Sequence, residues 1–358
     1  MRSVDVSVAA GGRLGVAVKD ERGRILLAAG TPLTAGLCDA LARRGFRQLP
    51  IQDGIADDVA PRDGLTAATR ALATQTAQAC FRSLEGGGAL PVRGVLAAVD
   101  AVLATLAMAH GAILEFATLR SVSDQSYVHS VNVCVYSLVV AQAMGLSGPE
   151  LRALGAGALL HDVGKVLCAD LCGRAEPLSA EDEARLRQHP IDGFEMLRQH
   201  HELHLFVAHI AYQHHEHVDG TGYPRALAGA RILPVARIVA VANAFDALEA
   251  GTPAAKGLPA AEAVRHLLEQ AGRAFDPDVV RVLARRLAHY PTGTPIVLSD
   301  GSVGIVVGQG VDPARPSVRL LGRAGVRATF EEVVQVNDQL SITQVLGEWP
   351  TWLRRRPP

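Results

Sequence analysis

The sequence predicts a mainly α protein in which a helical bundle is flanked by a small N-terminal α+β module and a small C-terminal β-rich module. Three observations support this fold class. Apolar residues recur at three- and four-residue spacing from residue 65 to about residue 288, which is typical of amphipathic helices. Short apolar runs separated by turn signals occur at both ends of the chain. The composition is 49% hydrophobic and 20% charged, which is sufficient for an ordered core in 358 residues.

Residues 1–60 are predicted to form the α+β module. A hairpin is expected around Glu21-Arg22-Gly23, because two apolar runs flank this turn signal. Residues 53–64 are polar and rich in helix-breaking residues, which is typical of a linker. The predicted elements of the module are strands at residues 14–18 and 25–28, a helix capped by Thr34, and a strand at residues 48–51.

Residues 61–290 carry the helical pattern, divided into a bundle extension at residues 61–119 and a larger domain at residues 120–290. Ser147-Gly148-Pro149-Glu150 has the pattern of a capping box with proline near the first turn. Ser179 is predicted to cap a helix that continues through His189, where Pro190 interrupts it. The predicted helices lie at residues 65–84, 92–119, 128–144, 150–160, 180–189, 206–215, 234–250 and 260–271.

Residues 291–358 are predicted to form the β-rich module. Alternating apolar runs at Pro295–Leu298 and at residues 303–307 flank Asp300-Gly301, which is a strong hairpin signal. Residues 318–321 and 334–336 are further candidate strands.

Composition excludes several functional classes. With 35 Lys+Arg against 36 Asp+Glu, the net charge of −1 gives no electrostatic reason to bind nucleic acid or an anionic membrane. The apolar runs are too short to span a bilayer, and the first residues lack the apolar segment of a secretion signal. The five cysteines show no CxxC pair, so they are predicted to be reduced thiols. These observations predict a cytoplasmic protein.

Histidine is the unusual residue of this chain. There are thirteen histidines, and eight of them lie between residues 189 and 217. The residues that could carry chemistry fall on five predicted helical segments. They are His129; His161-Asp162-Val163-Gly164-Lys165; His189; the run His214-His215-Glu216-His217-Val218-Asp219-Gly220-Thr221-Gly222-Tyr223-Pro224; and Asn243 with Asp246.

These residue types favour a binuclear metal site. Neutral imidazoles and a carboxylate are ligands that Fe²⁺, Mn²⁺ and Zn²⁺ accept, and a bundle core lets facing helices bring them to one point. The neighbours His161 and Asp162 lie about 100° apart around a helix axis, so they could address two adjacent metals, with Asp162 bridging both. A site of five histidines and one aspartate that keeps open positions is typical of a catalytic rather than a structural centre.

Each histidine also has a structural interpretation. A single histidine on an apolar helix is usually a core or interface residue, and a His-Asp dipeptide alone arises often by chance. The run from His214 to Pro224 is more specific, because loops without function seldom combine two histidines, two glycines and a Tyr-Pro. The structural interpretation is kept for His110, His209, His266 and His289, and a surface position is expected for His200, His201 and His204.

In this order of motifs the sequence resembles the HD-GYP family, a branch of the HD-domain metal-dependent phosphohydrolases. The motifs that name the family are present as His161-Asp162 and Gly222-Tyr223-Pro224, and the resemblance covers about residues 120–290. It implies an HD helical bundle and a bacterial signalling phosphodiesterase that opens cyclic di-GMP to pGpG or GMP through a hydroxide activated by two metals. Full retention of the Gly222-Tyr223-Pro224 loop argues against another HD phosphohydrolase acting on a different nucleotide.

The resemblance also implies site residues and partners. Asp162 and Lys165 are the implied catalytic residues, and Lys165 faces the phosphate. The implied cofactors are two divalent transition metals, with iron or manganese preferred over zinc or nickel. The Gly222-Tyr223-Pro224 loop with Asp219 would shape the substrate mouth and contact diguanylate cyclase domains, and the helices at residues 65–119 could pair with a second copy. The implied metal ligands are His129, His161, Asp162, His189, His214, His215 and Asn243.

The sequence departs from the family pattern in three places. Gln125 replaces a glutamate that supports a third metal in some members, so two metals are expected. Asn243 stands where the family usually has an aspartate ligand, which leaves the site one unit more positive and should weaken metal retention. The basic stretch RPYR is replaced by Thr252-Pro253-Ala254-Ala255, and only Lys256 retains positive charge there.

These departures leave two functional hypotheses from the sequence. The first is an active cyclic di-GMP phosphodiesterase, favoured by the complete histidine set and the complete loop. The second is a degenerate HD-GYP protein that binds a nucleotide or a signalling partner without turnover, favoured by Asn243 and the missing arginines. The enzyme is preferred because a chain that has lost catalysis would be expected to lose buried histidines first.

Overall fold

The computed structural model describes residues 2–19, 25–43, 46, 48–52, 54–59, 62–108, 113–115, 125–172, 174, 177–252, 255–323, 326–327 and 332–354. Its α-helices are α1 Ala35–Arg43, α2 Ala67–Glu85, α3 Val92–Met108, α4 Gln125–Ala143, α5 Gly148–Leu160, α6 Ala180–Leu186, α7 His189–Leu197, α8 Phe206–Gln213, α9 Pro234–Ala250, α10 Ala260–Glu269, α11 Pro277–Arg286 and α12 Thr351–Arg354. A 3₁₀ segment, Val163–Cys168, follows α5.

The strands are short and lie mainly toward the two ends of the chain. They are β1 Arg2–Asp5, β2 Arg13–Leu14, β3 Val18–Lys19, β4 Ile25–Leu27, β5 Gln48–Gln52, β6 Gly251–Thr252, β7 Ala255–Lys256, β8 Pro295–Leu298, β9 Ser302–Gly308, β10 Ser317–Arg323, β11 Val326–Arg327, β12 Val333–Gln335 and β13 Ile342–Val345. The predicted class, mainly α with a β-rich C-terminal module, is confirmed.

The chain forms two compact units, each described by itself. The helical unit comprises Gly64–Ala112 and Ser126–Arg286, and the β-rich unit comprises Met1–Asp63, Ile113–Gln125 and Leu287–Pro358. Among the described helices, none combines the length and the apolar character needed to cross a membrane.

The core of the helical unit is built on α4, α5 and α9, which are apolar on almost every side and buried as such helices must be. Two glycines on α5 let neighbouring helices approach closely. A Cβ at Gly155 would lie 2.7 Å from Val99 Cγ1 on α3, and a Cβ at Gly157 would overlap the side chain of Ile210 on α8. Close packing therefore holds the C-terminal end of α5, where His161 and Asp162 follow, against its neighbours.

Several predicted helix boundaries are wrong. The helix predicted for residues 92–119 ends at Met108, and Leu114 pairs instead with Leu287 in an isolated bridge of the β-rich unit. The Ser147 side chain makes no capping hydrogen bond to α5, so the capping-box pattern does not act as one. His189 begins a new helix rather than ending one, because proline is favourable in the first turn and Pro190 takes that position.

The β-rich unit contains two separate main sheets. The N-terminal sheet has the strand order β1-β5-β2, and β3 pairs with β4 in a hairpin whose turn lies outside the described residues. The single strand predicted for residues 14–18 is wrong, because Leu14 belongs to β2, which pairs with β5, and Val18 belongs to β3. The C-terminal sheet has the order β11-β10-β9-β8-β13, with β12 also paired to β10. Its β8–β9 turn is the predicted one, since Asp300 accepts a hydrogen bond from the Ser302 amide and Gly301 has φ +84°.

Part of the predicted linker is packed rather than free. Ala56 and Val59 are buried in a cluster with Val303 and Ile305 of β9 and with Trp349. Apolar side chains buried in this way anchor the segment to the C-terminal sheet.

Candidate metal centre

Asp162 lies at the centre of the candidate site. It follows the C-terminal end of α5 and precedes the 3₁₀ segment Val163–Cys168, and only 4% of its surface is exposed. Its two carboxylate oxygens face different imidazoles. Oδ1 lies 3.3 Å from His189 Nε2 and 3.5 Å from His214 Nε2, whereas Oδ2 lies 3.4 Å from His161 Nε2 and 3.7 Å from His129 Nε2.

Backbone carbonyls orient three of these imidazoles. The Nδ1 atoms of His161, His189 and His214 lie 2.8, 2.6 and 2.8 Å from the carbonyl oxygen of the residue three positions earlier. Because a carbonyl only accepts hydrogen bonds, each Nδ1 donates, and in the neutral ring the Nε2 atom carries the lone pair. The three lone pairs therefore point toward Asp162, as they do in metal sites whose histidines are oriented by a hydrogen bond to the other ring nitrogen.

The polar atoms at the centre are arranged to bind a cation, because acceptors that face one another cannot form hydrogen bonds with each other. His189 Nε2 and His214 Nε2 are 3.3 Å apart with a lone pair on each, and each also faces a carboxylate oxygen. Within the described structure, His161 Nε2 and Asp162 Oδ1 are buried without a hydrogen-bond partner. Buried polar atoms are normally satisfied, and acceptors converging on one point are the arrangement that a metal ion satisfies.

The predicted ligands fall into two groups that share Asp162, and the ligand atoms within each group lie within 4.8 Å of one another. The structure thus brings together all six of the predicted histidine and aspartate ligands. One group contains Asp162, His189, His214 and His215, and the other contains His129, His161 and Asp162.

The charges at the centre favour ligands in their metal-binding protonation states. Burial lowers the pKa of His214 to about 3 and holds the pKa of His215 well below its usual range, so both rings are neutral. Burial opposes ionisation of Asp162, but the Lys165 ammonium outweighs it and holds the pKa of Asp162 well below its usual range. Neutral imidazoles beside an ionised carboxylate are the forms that bind divalent metals.

Lys165 is paired with the central carboxylate. Its Nζ donates a hydrogen bond to Asp162 Oδ2 at 2.5 Å, and 28% of its side chain is exposed. Gly164, just before it, lies in close contact with the backbone of α7. A Cβ at Gly164 would overlap the His189 carbonyl oxygen and lie 2.6 Å from the Gly193 amide nitrogen, so this glycine lets the 3₁₀ segment pack directly on α7.

His129 is oriented by a carboxylate rather than by a carbonyl. Asp246 on α9 is fully buried, and its Oδ2 lies 2.6 Å from His129 Nδ1. Asn132 donates to Asp246 Oδ1 at 2.9 Å and in turn accepts a hydrogen bond from Arg70 at 3.0 Å. No role was assigned to Asn132 or Arg70 from the sequence. The available signal was the amide of Asn132 in a helix whose other buried residues are mostly apolar.

Replacing Asp246 with asparagine is expected to weaken metal binding by about 10- to 100-fold, as loss of such an orienting partner commonly does. The amide would set its NH₂ group against a donor on either His129 or Asn132. Competition for Mn²⁺ against a fluorescent chelator measures the change. Glu249→Gln is the control, because Glu249 lies on the same helix and accepts from Tyr136 rather than from a ligand; equal affinity of the Asp246 variant and wild type would contradict the assigned role.

The loop after α8 is folded by its own side chains. Glu216 is buried and accepts hydrogen bonds from the amides of Arg225 and Leu227. Asp219 is exposed and accepts from both the amide and the hydroxyl of Thr221, and these hydrogen bonds lower the pKa of Asp219. A Cβ at Gly222 would overlap the backbone of residues 215–217, so only glycine fits there.

Tyr223 connects this loop to the ligand cluster. Its ring stacks on His215 with a centroid distance of 4.6 Å and an interplanar angle of 14°, and its amide donates to the His215 carbonyl oxygen at 3.1 Å. The Tyr223-Pro224 peptide bond is cis. The predicted substrate-loop residues therefore lie next to the ligand group that contains His215.

Comparison with known proteins shows which family and relatives the chain resembles. The sequence matches the HD domain family over residues 116–279. It is 34% identical over 273 residues to the cyclic di-GMP phosphodiesterase PA4108 of Pseudomonas aeruginosa, covering 75% of this chain and 66% of that protein. It is 40% identical over 149 residues to the cyclic di-GMP phosphodiesterase response regulator RpfG of Xanthomonas campestris, covering 41% of this chain and 39% of that protein.

This chain belongs to the HD-GYP family. A further relative is the 3′3′-cGAMP-specific phosphodiesterase 3 of Vibrio cholerae, which is 30% identical over 204 residues, 56% of this chain and 43% of that protein. Among solved structures, Bd1817, an HDG"Y"P protein from Bdellovibrio bacteriovorus, has a TM-score of 0.49 and 23% identity, covering 78% of this chain and 97% of that chain.

Of the positions where this HD-GYP chain departs from the family pattern, Asn243 is the one whose side chain the structure describes. Asn243 is half-buried on α9, one turn before Asp246, and its side chain makes no hydrogen bond to any described residue. The side chains of Gln125 and Lys256, and residues 253–254 of the former RPYR stretch, lie outside what the structure describes.

The remaining described histidines of this HD-GYP chain belong to neither of the two ligand groups. His201 and His204 are exposed and His200 is partly exposed, in agreement with the expected surface positions. His266 is also exposed, whereas His209 and His289 are half-buried. His110 lies outside the described residues.

Proposed function

We propose that this chain is a metal-dependent phosphodiesterase that hydrolyses cyclic di-GMP to pGpG, GMP or both. The observation that carries the proposal is the Asp162 carboxylate, which directs one oxygen toward each of two groups of imidazole lone pairs. The names of the relatives support the reaction and the substrate class, since two are cyclic di-GMP phosphodiesterases and one acts on 3′3′-cGAMP.

The two ligand groups fit two divalent cations. His189, His214 and His215 with one oxygen of Asp162 would hold one ion, and His129 and His161 with the other oxygen would hold the second. When bound, such ions polarise a phosphodiester and lower the pKa of water toward neutrality.

In this reaction the chain's own residues would bind and orient the substrate and neutralise the charge on its phosphate. Hydrolysis adds water across one P–O bond: the water oxygen bonds to phosphorus, and the 3′-oxygen leaves and takes up a proton. Asp162 would set the two ligand groups at the spacing that the reaction needs. Lys165, whose side chain is 28% exposed, would stabilise the negative charge on the non-bridging phosphate oxygens. Tyr223 would form the wall of the substrate mouth next to His215.

The second candidate is a degenerate protein that binds a nucleotide or a partner without turnover. Asn243 is the observation that favours it, because an amide supplies no charge to the centre. The enzyme and the binding protein are distinguished by measuring metal content and cyclic di-GMP turnover on one sample that was purified without oxygen. If the sample holds two transition metals per chain and produces pGpG or GMP, the result supports the enzyme. If the protein stays inactive after Fe²⁺ and Mn²⁺ are added, the result supports the alternative.

The Asn243→Asp variant is expected to retain metal about tenfold more tightly and to turn over faster, since a carboxylate there adds negative charge next to two cations. Metal content after dialysis, measured beside the rate on cyclic di-GMP, checks this. Gln142→Glu on the exposed end of α4 controls for the added charge alone. No gain in either quantity would mean that Asn243 does not occupy a ligand position.

Two partner interactions belong to the same proposal. The loop from Asp219 to Pro224 would contact diguanylate cyclase domains, and α2 and α3 would pair with a second copy of the chain. Leu72 on α2 is 43% exposed and Met108 on α3 is 89% exposed, so both side chains are accessible to such a contact.

A further inference from the structure

Arg187 lies beside the loop tyrosine and has no place in the scheme above. Its guanidinium carbon is 5.4 Å from the centroid of the Tyr223 ring. The Tyr223 ring stacks on His215 of the ligand cluster, so one aromatic ring contacts both the metal centre and this cation. A guanidinium at this distance from an aromatic face is held by a cation–π interaction, which limits the positions it takes.

The surroundings of Arg187 leave it available to an anion. Its side chain is 58% exposed, and its ion pair with Glu183, at 3.1 Å one helical turn earlier, is a surface contact worth little stability.

A cyclic dinucleotide carries two phosphates, and the metal centre with Lys165 accounts for one of them. Lys165 is itself bound to Asp162, inside the ligand cluster. The second phosphate needs a cation outside that cluster, at the mouth of the site. A planar guanidinium is the group best suited to bind it, because it can donate two parallel hydrogen bonds to a phosphate.

We propose that Arg187, seated against Tyr223, binds the second phosphate of the cyclic dinucleotide and so sets the preference for substrates with two phosphates. This assignment rests on the proposed function, because it takes the phosphodiester next to the ligand cluster as the one that is cleaved. It makes Tyr223 a positioning residue, which holds the arginine at a fixed place relative to His215.

The test is the Arg187→Gln variant, assayed on cyclic di-GMP and on bis(p-nitrophenyl) phosphate, which has a single phosphate. The ratio of kcat/KM for the two substrates is expected to fall about tenfold or more, through KM for cyclic di-GMP rather than kcat. Arg187→Lys should recover part of the ratio, since it restores charge but not the two parallel donors.

Arg198→Gln is the matched control. Arg198 is 54% exposed, pairs with Glu195 at 2.6 Å and lies 5.9 Å from the ring centroid of Phe194, so it reproduces every local feature of Arg187 except the contact with Tyr223. The ratio of kcat/KM for the two substrates is expected to be the same in the Arg198 variant as in wild type. An unchanged ratio in the Arg187 variant, or an equal fall in both variants, would overturn the assignment.

Equilibrium binding keeps this test separate from the proposed function. If the metal-loaded wild type turns over no cyclic di-GMP, the proposed function fails. The dissociation constant for cyclic di-GMP, measured by calorimetry on wild type and both variants, then still decides the role of Arg187. Weaker binding in the Arg187 variant alone supports the assignment, and equal binding in all three proteins contradicts it.

Discussion

Replacing Asp162 with asparagine is expected to remove both metals and to reduce turnover at least about a thousandfold. The amide has nearly the same shape, but it loses the charge that both ligand groups share, and its NH₂ group would face either imidazole lone pairs or the Lys165 ammonium. Metal content by elemental analysis, together with the rate of cyclic di-GMP hydrolysis, measures the effect, and circular dichroism checks that the variant folds.

Asp192→Asn is the matched control for this change. Asp192 lies on α7, three residues after His189, and burial raises the pKa of its carboxyl, so neutralising it costs little. The control is expected to keep both metals and most of the activity. If the Asp162 variant also kept both metals, the two ligand groups would not depend on a shared carboxylate.

Replacing Gly164 with alanine is expected to destabilise the protein by about 3 kcal/mol or more, which is large for the addition of one methyl group. The new Cβ would overlap the His189 carbonyl oxygen and crowd the Gly193 amide, and both are backbone atoms that a rotamer change cannot move. Because the overlap lies at the first residue of α7, the His189 ligand would shift with it. Urea unfolding followed by circular dichroism measures the loss of stability.

Gly94→Ala tests whether the effect comes from the contact rather than from alanine itself. A Cβ at Gly94 on α3 meets no atom closer than 4.0 Å, and alanine is the better helix former. This variant is expected to be unchanged or stabilised by up to about 1 kcal/mol. A Gly164 variant as stable as wild type would mean that the 3₁₀ segment is not packed against α7 as described.

Helix and strand positions were predictable where local chemistry specified them. Pro234–Ala250 and Pro295–Leu298 have the predicted bounds, because a proline marks the start of each and a periodic apolar run follows. His189 was placed at the wrong end of its helix, because Pro190 is compatible both with the end of one helix and with the first turn of the next.

The residue types of the site were predictable, but the way they contact one another was not. The order of the motifs revealed the family resemblance, and that resemblance implied the six histidine and aspartate residues that the structure brings together. Three contacts depend on distances between separate helices. They are the contacts of the two Asp162 oxygens with different imidazoles, the Asp246–His129 contact and the close approach at Gly164. Such distances follow from packing, which spacing along one chain does not specify.

The partners of the ligand nitrogens make the two halves of the centre electronically unequal. His129 is oriented by the Asp246 carboxylate, and a negative charge on that side makes its imidazole a stronger electron donor. His161, His189 and His214 are oriented by neutral carbonyls. The group with fewer protein ligands thus contains the imidazole that a carboxylate makes a stronger electron donor, which offsets its smaller coordination number. The two ions are consequently expected to differ in affinity, so that a chelator would remove them in a fixed order.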